Sequence, residues 1–131
     1  MRLVDANANR AREGLRVAED VARLVLNDET IASELRSLRH RLTRLCASLA
    51  PEGSLLAERD SSGDLGRKVG FDSNERPENI QALVRRNMRR SEEACRVLEE
   101  TSSLADSNLR GQFKEVRYSL YDLEKALSER L

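Results

Sequence analysis

The chain has 131 residues, and its 23 Lys and Arg are balanced by 23 Asp and Glu. That length is one domain with a core large enough to need no disulfide or zinc. The zero formal charge excludes the broad basic surface that non-specific nucleic-acid binding requires.

Four segments carry helical periodicity. The first runs from about Asp5 to Leu26, where Asn27 and Asp28 break it and can cap the next. The second spans about Glu29 to Leu49, with Ile31, Leu35, Leu38, Leu42, Leu45 and Cys46 on one face, and Pro51 with Gly53 ends it. A third begins near Pro77, a residue suited to the first helical position, and continues to about Ala105. Asp106 and Ser107 restart a fourth, with Leu109, Phe113, Val116, Leu120, Leu123 and Leu127 on one stripe. No window alternates with the period of a strand. The expected fold is all-α, a four-helix bundle made of one hairpin over about 3–50 and another over about 77–131. The connection, about 51–76, holds Gly53, Gly63, Gly66, Gly70, Asp60, Asp64 and Asp72. A connection of that length inside a compact bundle is either functional or a linker between two half-bundles.

The hairpins read as a duplication. At an offset of 80, Asn7, Arg10, Glu13, Arg16, Glu19 and Leu24 fall on Asn87, Arg90, Glu93, Arg96, Glu99 and Leu104. At an offset of 78, Leu35, Leu38, Arg39 and Leu42 fall on Phe113, Val116, Arg117 and Leu120. Pseudo-two-fold symmetry is the structural expectation.

Helical wheels at ~100° per residue put polar groups on the wrong face. Asn7 is centred among Leu3, Ala11, Gly14, Ala18, Val21 and Val25, with Arg10 on the flank beside Val17. Asn87 is centred among Ile80, Leu83, Ala94, Leu98 and Ala105, with Arg90 beside Val97. Arg39, Arg117 and Glu124 lie inside the leucine stripes of the second and fourth helices. A buried, unpaired ion costs several kcal/mol or more, so these arginines must be paired or must face a solvated cavity. In the first case Glu13, Glu19, Glu93, Glu99 and Glu124 supply the partners. In the second, Arg and Asn from all four helices line one polar cavity on the pseudo-axis, where guanidinium forks grip an anion. Gly14 and Ala94 leave room there for close helix approach or for a ligand.

The loop offers complementary chemistry. Asp60 and Asp64 are hard oxygen donors suited to Mg²⁺, set among glycines whose N–H groups can meet phosphate. The same residues are ordinary turn formers, and neither GxxxxGK[ST] nor GxGxxG occurs. His40 points to solvent. Cys46 and Cys95 fall on or beside apolar stripes, with no CxxC pattern, and read as core thiols. Phe71, Tyr118 and Tyr121 are the ring surfaces available for stacking on a base.

Four ordered motifs carry a resemblance: DANANRAREGLRVAED (Asp5–Asp20), RDSSGDLG (Arg59–Gly66), NMRRSEEACRVLEE (Asn87–Glu100) and RYSLYDLE (Arg117–Glu124). Over nearly its whole length the chain resembles the atypical, all-helical hydroxymethylpyrimidine phosphate kinases of thiamine biosynthesis, which are often fused ahead of thiamine phosphate synthase. Ser61 and Arg67 depart from that family's usual loop, which reads Arg-Asp-Thr and places a small hydroxyl residue after the last glycine. The resemblance implies ATP-dependent phosphorylation of hydroxymethylpyrimidine phosphate to the diphosphate. It also implies a standalone or excised kinase domain without the synthase barrel.

On that expectation Arg10, Arg90 and Arg59 are catalytic. Asn7, Glu13, Arg39, Asn87, Glu93, Arg117, Tyr118 and Gly66 bind substrate or nucleotide, and Asp60 and Asp64 hold Mg²⁺. The Glu52–Arg76 loop acts as a lid. The expected partners are ATP and a small phosphorylated pyrimidine, with no nucleic acid. No membrane is expected either, since no apolar run approaches the ~20 residues of a span and no signal-peptide pattern precedes the first helix. The expected compartment is cytoplasmic, and zero net charge allows a homodimer. Two other classes fit the arginine-lined bundle: a chorismate-mutase-like enzyme that binds a dicarboxylate, and a non-catalytic helical interaction module. The aspartates of the loop favour a metal–nucleotide site over a dicarboxylate site.

Overall fold

A computed structural model describes residues 2–50, 53–57, 59–68 and 76–131. It holds six helices: α1 (Arg2–Leu24), α2 (Glu29–Ser48), α3 (Ser54–Ala57), α4 (Leu65–Lys68), α5 (Ile80–Ser102) and α6 (Ser107–Arg130). No strand occurs among the described residues, and no helix there is long and apolar enough to cross a membrane. The expected all-α bundle is the fold. Within the long connection, α3 and α4 are single turns, and α3 leans on α1. Pro51, Glu52, Gly70, Phe71 and Asp72 lie outside the described residues.

Side-chain caps set the starts of three long helices. Asp28 Oδ1 accepts from the Ile31 N–H at 3.0 Å, Asn79 Oδ1 from Ala82 at 2.8 Å and Asp106 Oδ1 from Asn108 at 2.7 Å. Each satisfies an amide that has no intrahelical partner. Helix α5 therefore begins at Ile80 and not at Pro77, because Asn79 supplies a cap that proline cannot. Between α1 and α2, Asn27 takes φ 51°, a left-handed conformation that asparagine tolerates.

Each long helix packs against two others in a square, α1 on α2 and α5, and α6 on α2 and α5. Helices α1 and α5 cross antiparallel. Ser91 Oγ donates to the Ala11 carbonyl at 2.9 Å, and a Cβ on Gly14 would collide with the Asn87 carbonyl and Ser91 Oγ. Ala11 and Ser91 are equivalent positions of the repeat, so the crossing point is the pseudo-two-fold axis. Gly14 thus serves close helix approach and not ligand space. On the opposite edge α2 and α6 also run antiparallel, held by Arg41–Glu115 and Arg130–Asp28 at 3.4 Å. Leu15, Leu35, Leu42, Met88, Leu98, Phe113, Leu120 and Leu127 fill the core with negligible exposure. Leu3, Val25 and Ile80, placed by the wheel on apolar faces, are 55%, 49% and 43% exposed because the helix ends project beyond the neighbours that would cover them.

Candidate active site

The expected axial cavity lined from all four helices does not form; its members separate into two environments. Arg39 and Arg117 belong to buried ion pairs. Arg39 Nε and Arg36 Nε donate to opposite oxygens of Glu19, each at 3.0 Å. Arg117 Nε donates to Glu99 at 2.8 Å, and Arg96 Nη1 to the other oxygen at 3.0 Å. Glu19 and Glu99 are 1% and 2% exposed. Burial pushes both carboxyls up, but the guanidinium hydrogen bonds outweigh it and hold each below the usual range. Glu19–Arg39 and Glu99–Arg117 repeat one another through the duplication, while the second arginine comes from α2 in the first cluster (Arg36) and from α5 itself in the other (Arg96). Their geometry clamps hairpin partners, α2 to α1 and α6 to α5.

Tyr118 accompanies Arg117, not the loop. The Arg117 guanidinium sits 5.1 Å from the Tyr118 ring centre, and Tyr118 meets Tyr121 edge-on at 5.8 Å. Glu124, another expected partner of the arginines, instead faces Glu92. Burial and the Glu124 charge push the Glu92 carboxyl up to about 7, and its Oε1 is buried with no hydrogen-bond partner.

The other expected residues gather on the outward face of α1 and α5. A cavity of about 490 Å³ lies between Arg2, Asp5, Asn9 and Arg10 of α1 and Arg59, Asp60, Asp64, Gly66 and Arg67 of the connection. A second, about 860 Å³, spans the crossing, with Asn7 and Arg10 facing Arg86, Arg90 and Glu93. A third, about 800 Å³, continues along α5 past Arg85, Arg86, Arg89 and Arg90 to Arg76 and Glu78. Arg10 is common to the first two, and Arg86, Arg90 and Glu93 to the last two, so they form one groove. Arg10 and Arg90 are exposed and, among the described residues, no carboxylate lies within ion-pair distance of either.

Asp5 anchors the connection to the bundle. Arg59 grips its carboxylate with two prongs, Nε at 2.8 Å and Nη2 at 2.7 Å. That fork holds the Asp5 carboxyl below the usual range despite its burial. Arg2 Nη2 adds a bond to the Asp60 carbonyl at 3.3 Å. Arg59, expected to be catalytic, directs its Nε and Nη2 to Asp5. Glu13 is exposed and close enough for its charge to act on Arg59. Asp60 Oδ1 accepts from the Gly63 N–H at 2.8 Å and Ser62 Oγ at 3.0 Å, and Asp64 Oδ1 from the Gly66 N–H at 2.9 Å. Both aspartates thus shape turns. Among the described residues no group of three or more His, Cys, Asp or Glu can hold a metal. The donor set fits Mg²⁺ that arrives on phosphate oxygens and takes one or two carboxylate contacts, rather than a protein cage.

Asn7 and Asn87 are buried, and each donates Nδ2 to the carbonyl four residues back, Leu3 and Leu83, at 2.9 Å. Asn7 also lines the central cavity, whereas the Asn87 backbone meets Gly14 at the crossing. Sequence reasoning missed Asp5, Arg85, Arg86 and Arg89. The signal for the last three was the pair of doublets, Arg85-Arg86 and Arg89-Arg90, one turn apart on the same face.

A model of the ThiD2 family matches residues 2–126. The chain belongs to the ThiD2 family. This ThiD2 member is 40% identical over 126 residues to a thiamine-phosphate synthase of Nostoc punctiforme, covering 96% of the chain and 34% of that relative. It is 38% identical to a thiamine-phosphate synthase of Synechocystis (96% and 35% covered) and 35% identical to one of Rhodopirellula baltica (92% and 32% covered). The ThiD2 chain thus spans about a third of the length of the curated relatives it matches. No solved structure matches it.

Proposed function

We propose that this ThiD2 protein is a phosphotransferase of thiamine diphosphate biosynthesis, carrying the γ-phosphoryl group of ATP to the phosphate of hydroxymethylpyrimidine phosphate. The observation that carries the reading is the α1–α5 groove, where Arg10 and Arg90 lie across the crossing with no carboxylate partner among the described residues and the Asp5–Arg59 clamp holds a glycine- and aspartate-bearing segment at one side. Membership of the family, with relatives named thiamine-phosphate synthase, supports the pathway.

The chemistry asks for alignment and charge neutralisation, which this groove can supply. An oxygen of the acceptor phosphate attacks the γ-phosphorus. The bond from that phosphorus to the β,γ-bridging oxygen breaks, and ADP leaves with the electron pair. A dianionic acceptor needs no general base, so the distant, exposed His40 is no obstacle. Arg10 and Arg90 stabilise charge on the migrating group, and Asn7 orients a phosphate or a pyrimidine edge. Mg²⁺ would arrive on the nucleotide and neutralise its phosphate charge, and Asp60 and Asp64 could offer it carboxylate oxygens from the Arg10 side of the groove, where the phosphoryl group is transferred. The connection, pinned to α1 through Asp5, borders the α1 end of the groove and would shield phosphates bound there from water. Arg39 and Arg117, the interior cations that a dicarboxylate site would use, are committed to Glu19 and Glu99. The open groove is therefore the better-supported site.

The test is an ADP-release assay coupled to product analysis, with Mg-ATP and with or without hydroxymethylpyrimidine phosphate. ADP release that depends on the acceptor and yields its diphosphate is expected. ADP release without diphosphate, or none at all, would overturn the reading.

A further inference from the structure

The internal duplication supplies its own control for how the groove is divided. Because α1 and α5 cross antiparallel at Ala11 and Ser91, their N-terminal halves lie at opposite ends of the groove. Equivalent positions there have diverged in one direction: Asp5, Ala6 and Asn9 on α1 correspond to Arg85, Arg86 and Arg89 on α5, while Arg10 and Arg90 are shared. The α5 end is lined by five arginines against two glutamates, over about 800 Å³. At the α1 end four arginines meet three aspartates over about 490 Å³, and there Arg59 is already neutralised by Asp5.

Like charges one turn apart destabilise a helix. Arg85 with Arg89 and Arg86 with Arg90 make two such pairs, and among the described residues no carboxylate lies within ion-pair distance of Arg85, Arg89 or Arg90. A run of cations on successive turns suits a ligand of several linked phosphates. The α1 end, nearly neutral and narrower, suits a ligand with a single phosphate.

We propose that the two halves of the groove are not interchangeable: the Arg85–Arg90 face of α5 holds the triphosphate chain of the nucleotide, and the α1 end beside Asp5, Arg59 and Asp60 holds the monophosphate acceptor. The migrating phosphoryl group then passes between them at the crossing, beside Arg10 and Arg90. This assignment rests on the phosphotransferase reading above and adds to it which end takes which substrate.

Isothermal titration on the full chain tests it, with Mg-adenylyl imidodiphosphate as the nucleotide probe and hydroxymethylpyrimidine phosphate as the acceptor probe. The double variant Arg85→Ala/Arg89→Ala, at exposed positions, is expected to weaken the nucleotide probe by about tenfold or more and to leave the acceptor within about twofold. Arg59→Ala is expected to do the reverse. Weakening of the acceptor alone by the α5 variant, or no effect on either probe, overturns the assignment while the phosphotransferase reading stands. If the unaltered protein binds neither probe, both fall.

Discussion

The two hairpins of this bundle share their clamps and differ in their solvent-facing grooves. Glu19 with Arg39 and Glu99 with Arg117 are the same device twice, a carboxylate almost without exposure held by a guanidinium from the partner helix. On the outward face the halves part: α1 presents Asp5 and Asn9 where α5 presents Arg85 and Arg89. The clamps that both halves retain hold the fold, and the groove positions at which they differ, Asp5 and Asn9 against Arg85 and Arg89, give its two ends unlike charge. Repetition therefore shows in the buried clamps, and divergence in the charge carried along the groove.

The comparison breaks most easily at the axis, where the halves themselves are unequal. Gly14→Val should be the most damaging substitution, because its side chain would enter the Asn87 carbonyl and Ser91 hydroxyl. A loss of about 3 kcal/mol or more is expected in urea unfolding, whereas the counterpart change Ala94→Gly should cost about 1 kcal/mol. Equal losses at the two sites would show that the crossing is not tight at Gly14.

Next come the clamps. Glu19→Ala and Glu99→Ala should each cost about 2–3 kcal/mol, and the two should agree, since each carboxylate is almost without exposure and held by two arginines. Both carboxyls titrate below their ordinary value in the folded protein. Their stabilisation is therefore present above the ordinary glutamate range and is lost as pH falls through the lowered folded value. Each variant should show less acid sensitivity than the parent in unfolding midpoints taken below about pH 5.

The smallest effect separates the halves again, because Glu92 is half-buried beside Glu124 on the second hairpin. Its carboxyl is pushed up to about 7, so its contribution is full below the ordinary glutamate value and is lost as pH rises through the folded one. Between pH 5 and 8 the parent should lose about 1 kcal/mol after allowance for solvent screening. Glu92→Gln should flatten that slope. A slope unchanged in Glu92→Gln would assign it to other groups.

Much of the fold was legible because helical periodicity and capping residues act locally. Asp28 and Asp106 cap where the sequence placed them, and Asn79 took the start of α5 from Pro77 because side-chain capping is a stronger local signal than a favourable φ. The wheel correctly found Arg39 and Arg117 on buried stripes, yet it gives only an angle about one helix. It cannot say that Glu19 and Glu99 stand opposite, so one axial cavity was drawn where the fold makes two clamps and a groove. Arg10, Arg90, Asp60, Asp64 and Gly66 were legible as a set, since the groove brings them together. The Asp5–Arg59 anchor joins positions 54 residues apart. No local pattern encodes that separation.

The groove's claim to be the place of phosphoryl transfer is tested most directly by the turnover of Arg10→Ala with Mg-ATP and hydroxymethylpyrimidine phosphate. Arg10 is exposed and has no ion-pair partner among the described residues, so the variant should fold like the parent by circular dichroism and thermal unfolding. The account predicts a fall in kcat of about 10²–10³-fold. Turnover within about twofold of the parent in a normally folded Arg10→Ala protein would contradict it.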